Sequence, residues 1–129
     1  MAYNSPISST TQYGVVKVGA GIDVANGIIS VSEGVVNTVL VNNAASPYTV
    51  TATDYYIGVV GTGVAITVNL PVGEDGRTLI IKAEATQLSN VNIVPNGTET
   101  IEKVATYQIL AATDGSVTLV FRGTNWNIV

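Results

Sequence analysis

Apolar residues recur at every second position along much of the chain. This period of two is the spacing of one face of a β-strand. Stretches with this alternation are 48–53, 64–70, 78–83 and 117–122. In the third stretch, for example, Leu79, Ile81 and Ala83 take alternate positions. The pattern predicts several short strands, each with one face on a core and the other toward solvent or a neighbour.

Turn-forming residues separate these stretches. Gly, Asn, Asp and Pro, which supply turn geometry, cluster at 73–76, 95–97 and 114–115. Nearer the N-terminus, Asn26-Gly27 lies between two β-branched runs, and this is a strong β-hairpin signal because both residues tolerate positive φ. Many short strands with regular turns predict an all-β protein with a β-sandwich or jelly-roll-like body.

The composition divides the chain into an N-terminal segment and a body. Residues 1–13 are rich in Ser, Thr and Asn and have no apolar period, so we expect an extended arm that orders on a partner. Together with the hairpin, this arm forms a predicted segment of residues 1–45. Residues 46–129 carry most of the alternating stretches and form the predicted β-sandwich body.

Charge excludes some classes of partner. The chain has a net charge of −4, and its five cations are scattered. Nucleic-acid binding requires clustered Lys and Arg, and adhesion to an anionic membrane favours the same clustering. No apolar run approaches the roughly 18 residues of a membrane span. We therefore expect neither nucleic acid nor a membrane as a partner.

The residue types needed for most enzymatic chemistry are missing. The chain has no histidine and no cysteine, so it lacks the usual general base and thiolate nucleophile. Asp54 is interpreted as a turn residue that bonds its own backbone. The Glu74-Asp75 pair offers too few oxygen ligands for calcium. The sequence therefore predicts no catalytic residues, no cofactor and no metal.

Trp126 has two interpretations. An exposed tryptophan can stack on a sugar ring, whereas a tryptophan in an alternating strand closes the core. Because Trp126 lies in an apolar C-terminal stretch, we favour the core role.

Several motifs resemble those of tailed-bacteriophage proteins. Residues 9–19 (STTQYGVVKVG) and the run 21–31 resemble a segment frequent in phage fibre and head-decoration proteins. The motifs that resemble the C-terminal β-domain of the same proteins are TDYYI at 53–57, VNLP at 68–71, GRTLIIK at 76–82, NIVPNGTETI at 92–101 and GTNWNI at 123–128. Together the two segments cover most of the chain.

This resemblance implies a non-enzymatic homotrimer of β-sandwich bodies. A short arm with one compact body and no shaft repeat favours a cement (decoration) protein that stabilises the shell by binding its major capsid protein. The capsid-binding candidates in the arm are Ser9, Thr10, Thr11, Gln12 and Tyr13. Such a protein is made in the host cytoplasm and is located on the outer capsid surface of the virion. The alternative is a short tail fibre or receptor-binding tip that recognises host surface glycans.

Overall fold

A computed structural model describes residues 22–25, 28–31, 35–84, 89–111 and 114–129. Contacts divide the chain into two compact units, Met1–Val35 and Val36–Val129. In the first unit, β1 (Ile22–Ala25) and β2 (Ile28–Val31) form an antiparallel two-stranded sheet. This pairing confirms the predicted hairpin, although its two turn residues lie outside the described residues.

The second unit, which we call the body, consists of two β-sheets and a short 3-10 turn at Asn43–Ala45. Its strands are β3 (Thr38–Val41), β4 (Tyr48–Thr49), β5 (Tyr56–Val59), β6 (Ile66–Asn69), β7 (Thr78–Ala83), β8 (Val91–Val94), β9 (Thr100–Ile101), β10 (Tyr107–Ile109), β11 (Ser116–Arg122) and β12 (Asn125–Ile128). The six-stranded sheet has the order β3-β5-β7-β11-β12-β9, and the four-stranded sheet has the order β10-β8-β6-β4. The all-β prediction is confirmed.

The first six strands of the body form a β-solenoid rather than the predicted sandwich or jelly roll. β3, β5 and β7 pair in parallel in one sheet, and β4, β6 and β8 pair in parallel in the other. The chain therefore alternates between the two sheets. Each pair of successive strands forms one rung of the solenoid (β3–β4, β5–β6 and β7–β8), and each rung stacks on the one before.

The alternating pattern could not reveal this topology. A period of two reports which face of a strand is buried, and it is the same for parallel and antiparallel partners. The lengths of the connections carry more information. Residues 42–47, 50–55 and 60–65 join successive strands of the rungs. These connections are longer than the usual hairpin loop of about two to five residues, so the chain crosses to the other sheet instead of turning back.

The C-terminal third ends the solenoid with mostly antiparallel pairs; the exception is β9, which pairs in parallel with β12. β11 pairs antiparallel with β7, and Gly123-Thr124 turns the chain directly into β12. β10 runs back along β8 at the edge of the four-stranded sheet. The parallel stack therefore stops after three rungs.

The core lies between the two sheets. Burial alternates along β6, β7 and β11 as the sequence predicts, and it alternates along β8 as well. Trp126 is completely buried and its ring meets Phe121 edge to face, with the centroids 5.1 Å apart. Its indole Nε1 donates to Glu99 Oε2 at 3.3 Å. The predicted core role of Trp126 is thus confirmed.

Contacts place the start of the compact body at Val36, whereas the sequence analysis places the boundary between residues 45 and 46. β3 pairs in parallel with β5, and Val41 is completely buried in the core.

Candidate interaction surface

The first rung of the solenoid lies at an edge of both sheets. β3 is the edge strand of the six-stranded sheet, and β4 is the edge strand of the four-stranded sheet. An edge strand offers backbone N–H and C=O groups that its own sheet leaves unpaired. We refer to β3, β4 and the residues between them (38–49) as the first rung.

The hydrogen bonds of β3 indicate which of its residues face the open edge. The carbonyl oxygens of Asn37 and Val41 accept hydrogen bonds from the backbone N–H groups of Tyr56 and Val60, at 3.1 Å and 2.9 Å. Backbone groups of successive strand residues point alternately to the two sides of the strand. Thr38 and Leu40 therefore direct their N–H and C=O groups away from the sheet, where a further strand could bind.

The edge formed by β3 has exposed apolar side chains and no charged residue. Val36 and Leu40 are 47% and 57% exposed. The sequence from residue 35 to residue 53 contains no charged residue. Natural edge strands are usually protected by charged side chains, proline or a bulge, which discourage pairing with another chain. Pro47 lies directly before β4, but β3 has neither a charge nor a proline, so its edge is suited to docking.

A buried carboxylate holds the first rung in place. Asp54, which lies two residues before β5, is 4% exposed. Its Oδ2 accepts hydrogen bonds from the Tyr48 hydroxyl and the Thr51 backbone N–H, both at 2.7 Å. Its Oδ1 accepts from Asn37 Nδ2 at 3.0 Å. Because Asn37 precedes β3 and Tyr48 lies in β4, this one side chain joins both strands of the rung to the next rung.

Arg77, which directly precedes β7, donates hydrogen bonds to the loop that joins β4 to β5. Its Nη1 donates to the carbonyl oxygen of Ala52 at 2.5 Å, and its Nη2 donates to those of Thr51 and Asp54 at 3.1 Å and 2.5 Å. A planar guanidinium can satisfy several acceptors at once in a fixed geometry. The loop that joins β4 to β5 is therefore held by hydrogen bonds with both the Asp54 carboxylate and the Arg77 guanidinium.

These contacts shift the pKa values of Asp54 and Tyr48. We call Asp54, with its partners Asn37, Tyr48, Thr51 and Arg77, the Asp54 cluster. Burial alone would raise the pKa of Asp54, but the hydrogen bonds from Thr51 and Tyr48, with the charge of Arg77, lower it below the model-compound value of 3.8. Burial, the hydrogen bond to Asp54 and the charge of that carboxylate raise the pKa of Tyr48 to about 12. At neutral pH the pair is thus a neutral phenol donating to a charged carboxylate.

The interpretation of Asp54 as a turn residue was right in part. It does accept a hydrogen bond from nearby backbone, that of Thr51. Its contacts with Asn37 and Arg77 connect residues far apart in the chain. No local pattern predicts such contacts, although a carboxylate between two apolar strands was a signal of an unusual position.

The candidate capsid-binding residues Ser9, Thr10, Thr11, Gln12 and Tyr13 all lie outside the described residues.

A second surface feature is an open cavity of about 270 Å³ beside β10. Its lining residues carry no charge: they are Tyr107, Gln108, Ile109, Leu110, Gly115, Ser116 and Val117. A phenol, an amide and a hydroxyl among apolar side chains suit a neutral ligand with hydroxyl groups.

Two further findings bear on function. Among the described residues, no three acidic side chains lie close enough together to form a metal-binding group. No helix in this part of the chain is long and apolar enough to cross a membrane. Comparison with known proteins adds no family: no protein-family model matches the sequence, and no curated protein is significantly similar to it.

Proposed function

We propose that this chain is a non-enzymatic virion structural protein, a cement protein that binds the outer capsid surface of a tailed phage as a homotrimer. The resemblance of residues 9–31 and of the body motifs to phage head-decoration and fibre proteins supports this assignment. A sequence without histidine or cysteine also favours binding over catalysis.

The observation that carries the proposal is the uncharged, open first rung. Val36 and Leu40 expose apolar surface beside backbone groups that no described strand pairs with, and the hydrogen bonds of Asp54 to Asn37 and Tyr48 fix the position of this edge. A strand edge of this kind binds an extended segment of another protein by adding a strand to its sheet. In our proposal the partner is the major capsid protein, and the polar arm makes further contacts with neighbouring capsid subunits.

Each contact with the shell can be weak. A protein that binds the assembled shell but not its dissociated subunits stabilises the shell by mass action, by about 2.7 kcal/mol per site at a hundredfold excess over the dissociation constant. A homotrimer presents three copies of the same surface. Multivalent attachment can then raise the avidity by about two to four orders of magnitude over a single contact.

Removal and restoration of the protein tests the proposal. Shells stripped of it should release their genome at a lower temperature than decorated shells, and adding it back should restore the release temperature. Equal release temperatures with and without bound protein would contradict a cement role.

A pair of substitutions tests the docking edge. Leu40→Lys places a charge on β3, whereas Val72→Lys places the same charge on another exposed valine, which is 71% exposed in the loop between β6 and β7. We expect Leu40→Lys to weaken shell binding by about tenfold or more, because a charge on an edge opposes strand addition. Val72→Lys should bind as the wild type does. Equal binding by both variants would exclude β3 as the docking edge.

The cavity beside β10 favours a second candidate, a receptor-binding tip that recognises host surface glycans. Tyr107, Gln108 and Ser116 offer the aromatic, amide and hydroxyl groups that neutral sugars bind. The copy number per purified particle distinguishes the two roles. Hundreds of copies would indicate shell decoration, and a few to tens would indicate a fibre or tip. Specific binding to host glycans that Gln108→Ala abolishes would also favour the tip.

A further inference from the structure

The six-stranded sheet ends differently at its two edges. β3 forms one edge and β9 forms the other. The Thr100 N–H points inward from β9, because it donates to the carbonyl oxygen of Thr124. Backbone groups of successive strand residues point to alternate sides, so the N–H and C=O of Ile101 point outward. Both are hydrogen-bonded to Val104 at 2.8 Å, and the outward groups of β9 are therefore already paired.

A two-residue turn brings Val104 back beside Ile101. Its central residues, Glu102 and Lys103, have positive φ angles of 47° and 68°. A type I′ turn requires positive φ at both central positions, and its usual residues are Asn and Gly, which tolerate that conformation. Glu and Lys are strained there. Strain at two consecutive positions indicates that the side chains of Glu102 and Lys103 have a role that Asn and Gly would not fill.

The Glu102 side chain closes a part of β12 that β9 does not reach. β12 spans Asn125–Ile128, but β9 pairs only with its first two residues. The Trp126 carbonyl oxygen accepts a hydrogen bond from the Glu102 N–H, and Ile128, two residues later, points its N–H to the same side. That N–H donates to Glu102 Oε1 at 2.7 Å. The carboxylate thus lies where a further strand would offer a carbonyl oxygen.

Lys103 places a positive charge at the same end of the body. Its backbone N–H donates to Asn125 Oδ1 at 2.9 Å, and this bond ties the turn to β12. Val104, next to the turn, and Val129, next to β12, are 50% and 75% exposed. Exposed apolar residues at a strand edge favour pairing with another chain, and charged residues, lysine above all, discourage it.

We propose that the side chains of Glu102 and Lys103 close this end of the body against the first rung of another copy of the chain. β3 and β9 are opposite edges of one sheet. A β3 strand that docked beside β9 and β12 would join copies head to tail, an arrangement that grows into filaments unless it closes into a ring. With this end closed, the six-stranded sheet accepts a further strand at β3 but not at β9.

A closed end is important for any protein that docks through the first rung. The same strand edge must bind its partner and must not bind a second copy of its own chain, so specificity requires a feature that disfavours self-pairing. This requirement holds whether the partner is a capsid protein or another extended segment.

Variants of the full chain at the turn test the proposal. Glu102→Asn with Lys103→Gly gives the turn its usual residues and leaves the net charge unchanged, because one anion and one cation are lost. Asn is one methylene shorter than Glu, so its oxygen falls short of the Ile128 N–H. Light scattering should give this double variant a mean mass that rises with concentration, to at least about three times the wild-type value at high micromolar concentration. Adding Leu40→Lys should restore the wild-type mass, because it charges the docking edge.

Glu102→Gln is the matched control. It keeps an acceptor of the same length together with Lys103, so its mass should equal that of the wild type. Native Trp126 fluorescence identifies assembly of folded bodies, since this single tryptophan lies in the body core. If the double variant does not fold, Glu102→Asn alone repeats the comparison, because it differs from Glu102→Gln by one methylene and by no charge.

Three results would overturn the proposal. The first is a folded double variant, or a folded Glu102→Asn, whose mass stays equal to that of the wild type. The second is association that Leu40→Lys does not suppress, and the third is equal association by Glu102→Gln. Association as expected, in a protein whose wild type fails to bind shells, would support the closed end and contradict only the cement role.

Discussion

The hairpin and the body use the same kinds of residue with different results. Both place Val and Ile at alternate positions along short strands. In the body, two sheets cover each other, so residues such as Ile57, Ile81 and Leu119 are completely buried. In the described part of the N-terminal unit, the hairpin is a single sheet of two strands. Composition alone therefore does not decide whether a β-unit is self-sufficient; a second layer does.

The two ends of the body differ in a related way. At one end, the first rung is open, uncharged and apolar at Leu40. At the other, the antiparallel β11–β12 hairpin brings Phe121 and Trp126 into the core. The C-terminal strands thus complete the body, whereas the first rung leaves an edge that a partner can extend.

The largest effect is expected where the body completes its core. Trp126→Ala should lower the free energy of unfolding by about 3–5 kcal/mol, because it removes the largest buried side chain and leaves a cavity. Urea unfolding followed by far-ultraviolet circular dichroism measures this. Val129→Ala, at an exposed C-terminal residue, should change stability by less than about 0.5 kcal/mol. Similar stabilities for the two variants would mean that the body does not depend on this core.

A somewhat smaller loss is expected from the carboxylate that anchors the first rung. Asp54→Ala leaves Tyr48, Thr51 and Asn37 without their acceptor. A hydrogen bond to a charged group contributes about 1.5–3 kcal/mol, and the total loss should be about 3 kcal/mol because the exposed residues Asn37 and Thr51 can bind water instead. Chemical denaturation of the full chain measures it. A loss below about 1 kcal/mol would mean that Asp54 does not anchor the first rung.

Two tyrosines provide a matched pair for a smaller effect. The Tyr48 hydroxyl donates to buried Asp54 at 2.7 Å, and the Tyr56 hydroxyl donates to the less buried Glu84 at 3.3 Å. Tyr48→Phe should therefore destabilise the body by about 1.5–3 kcal/mol, because it removes a short bond to a charged acceptor. Tyr56→Phe should cost less than about 1 kcal/mol. If the order is reversed in urea unfolding, the Asp54 cluster is not the main anchor of the first rung.

The smallest effect is a dependence of stability on acid pH. Folding lowers the pKa of Asp54 below 3.8, so the unfolded chain binds a proton more readily than the folded chain does. The stabilisation from this group is complete above that value and is lost as the pH falls through the folded pKa. Stability measured from pH 5 to pH 2 should therefore decline less in Asp54→Asn than in the wild type. Equal declines in the two proteins would show that Asp54 does not contribute to the loss of stability in acid.

Part of this architecture was accessible from the sequence. Alternation at Leu79, Ile81 and Ala83 correctly predicted a strand and its buried face, and Asn26-Gly27 marked the hairpin. The parallel pairing of the rungs was not predicted, because apolar residues alternate in the same way in parallel and antiparallel strands. The Asp54 cluster was also missed, because Asn37 and Arg77 approach Asp54 only when successive rungs stack.

The central claim is that the body folds by itself and that its uncharged first rung is the surface that binds the shell. The most direct measurement compares shell binding by the fragment Val36–Val129, a compact unit with its own core, with shell binding by the same fragment carrying Leu40→Lys. The unchanged fragment should bind shells, with Trp126 emission as blue-shifted as in the full chain, and Leu40→Lys should bind at least about tenfold more weakly. Equal binding by the two fragments, or Trp126 emission that shifts to that of exposed indole, would contradict the account.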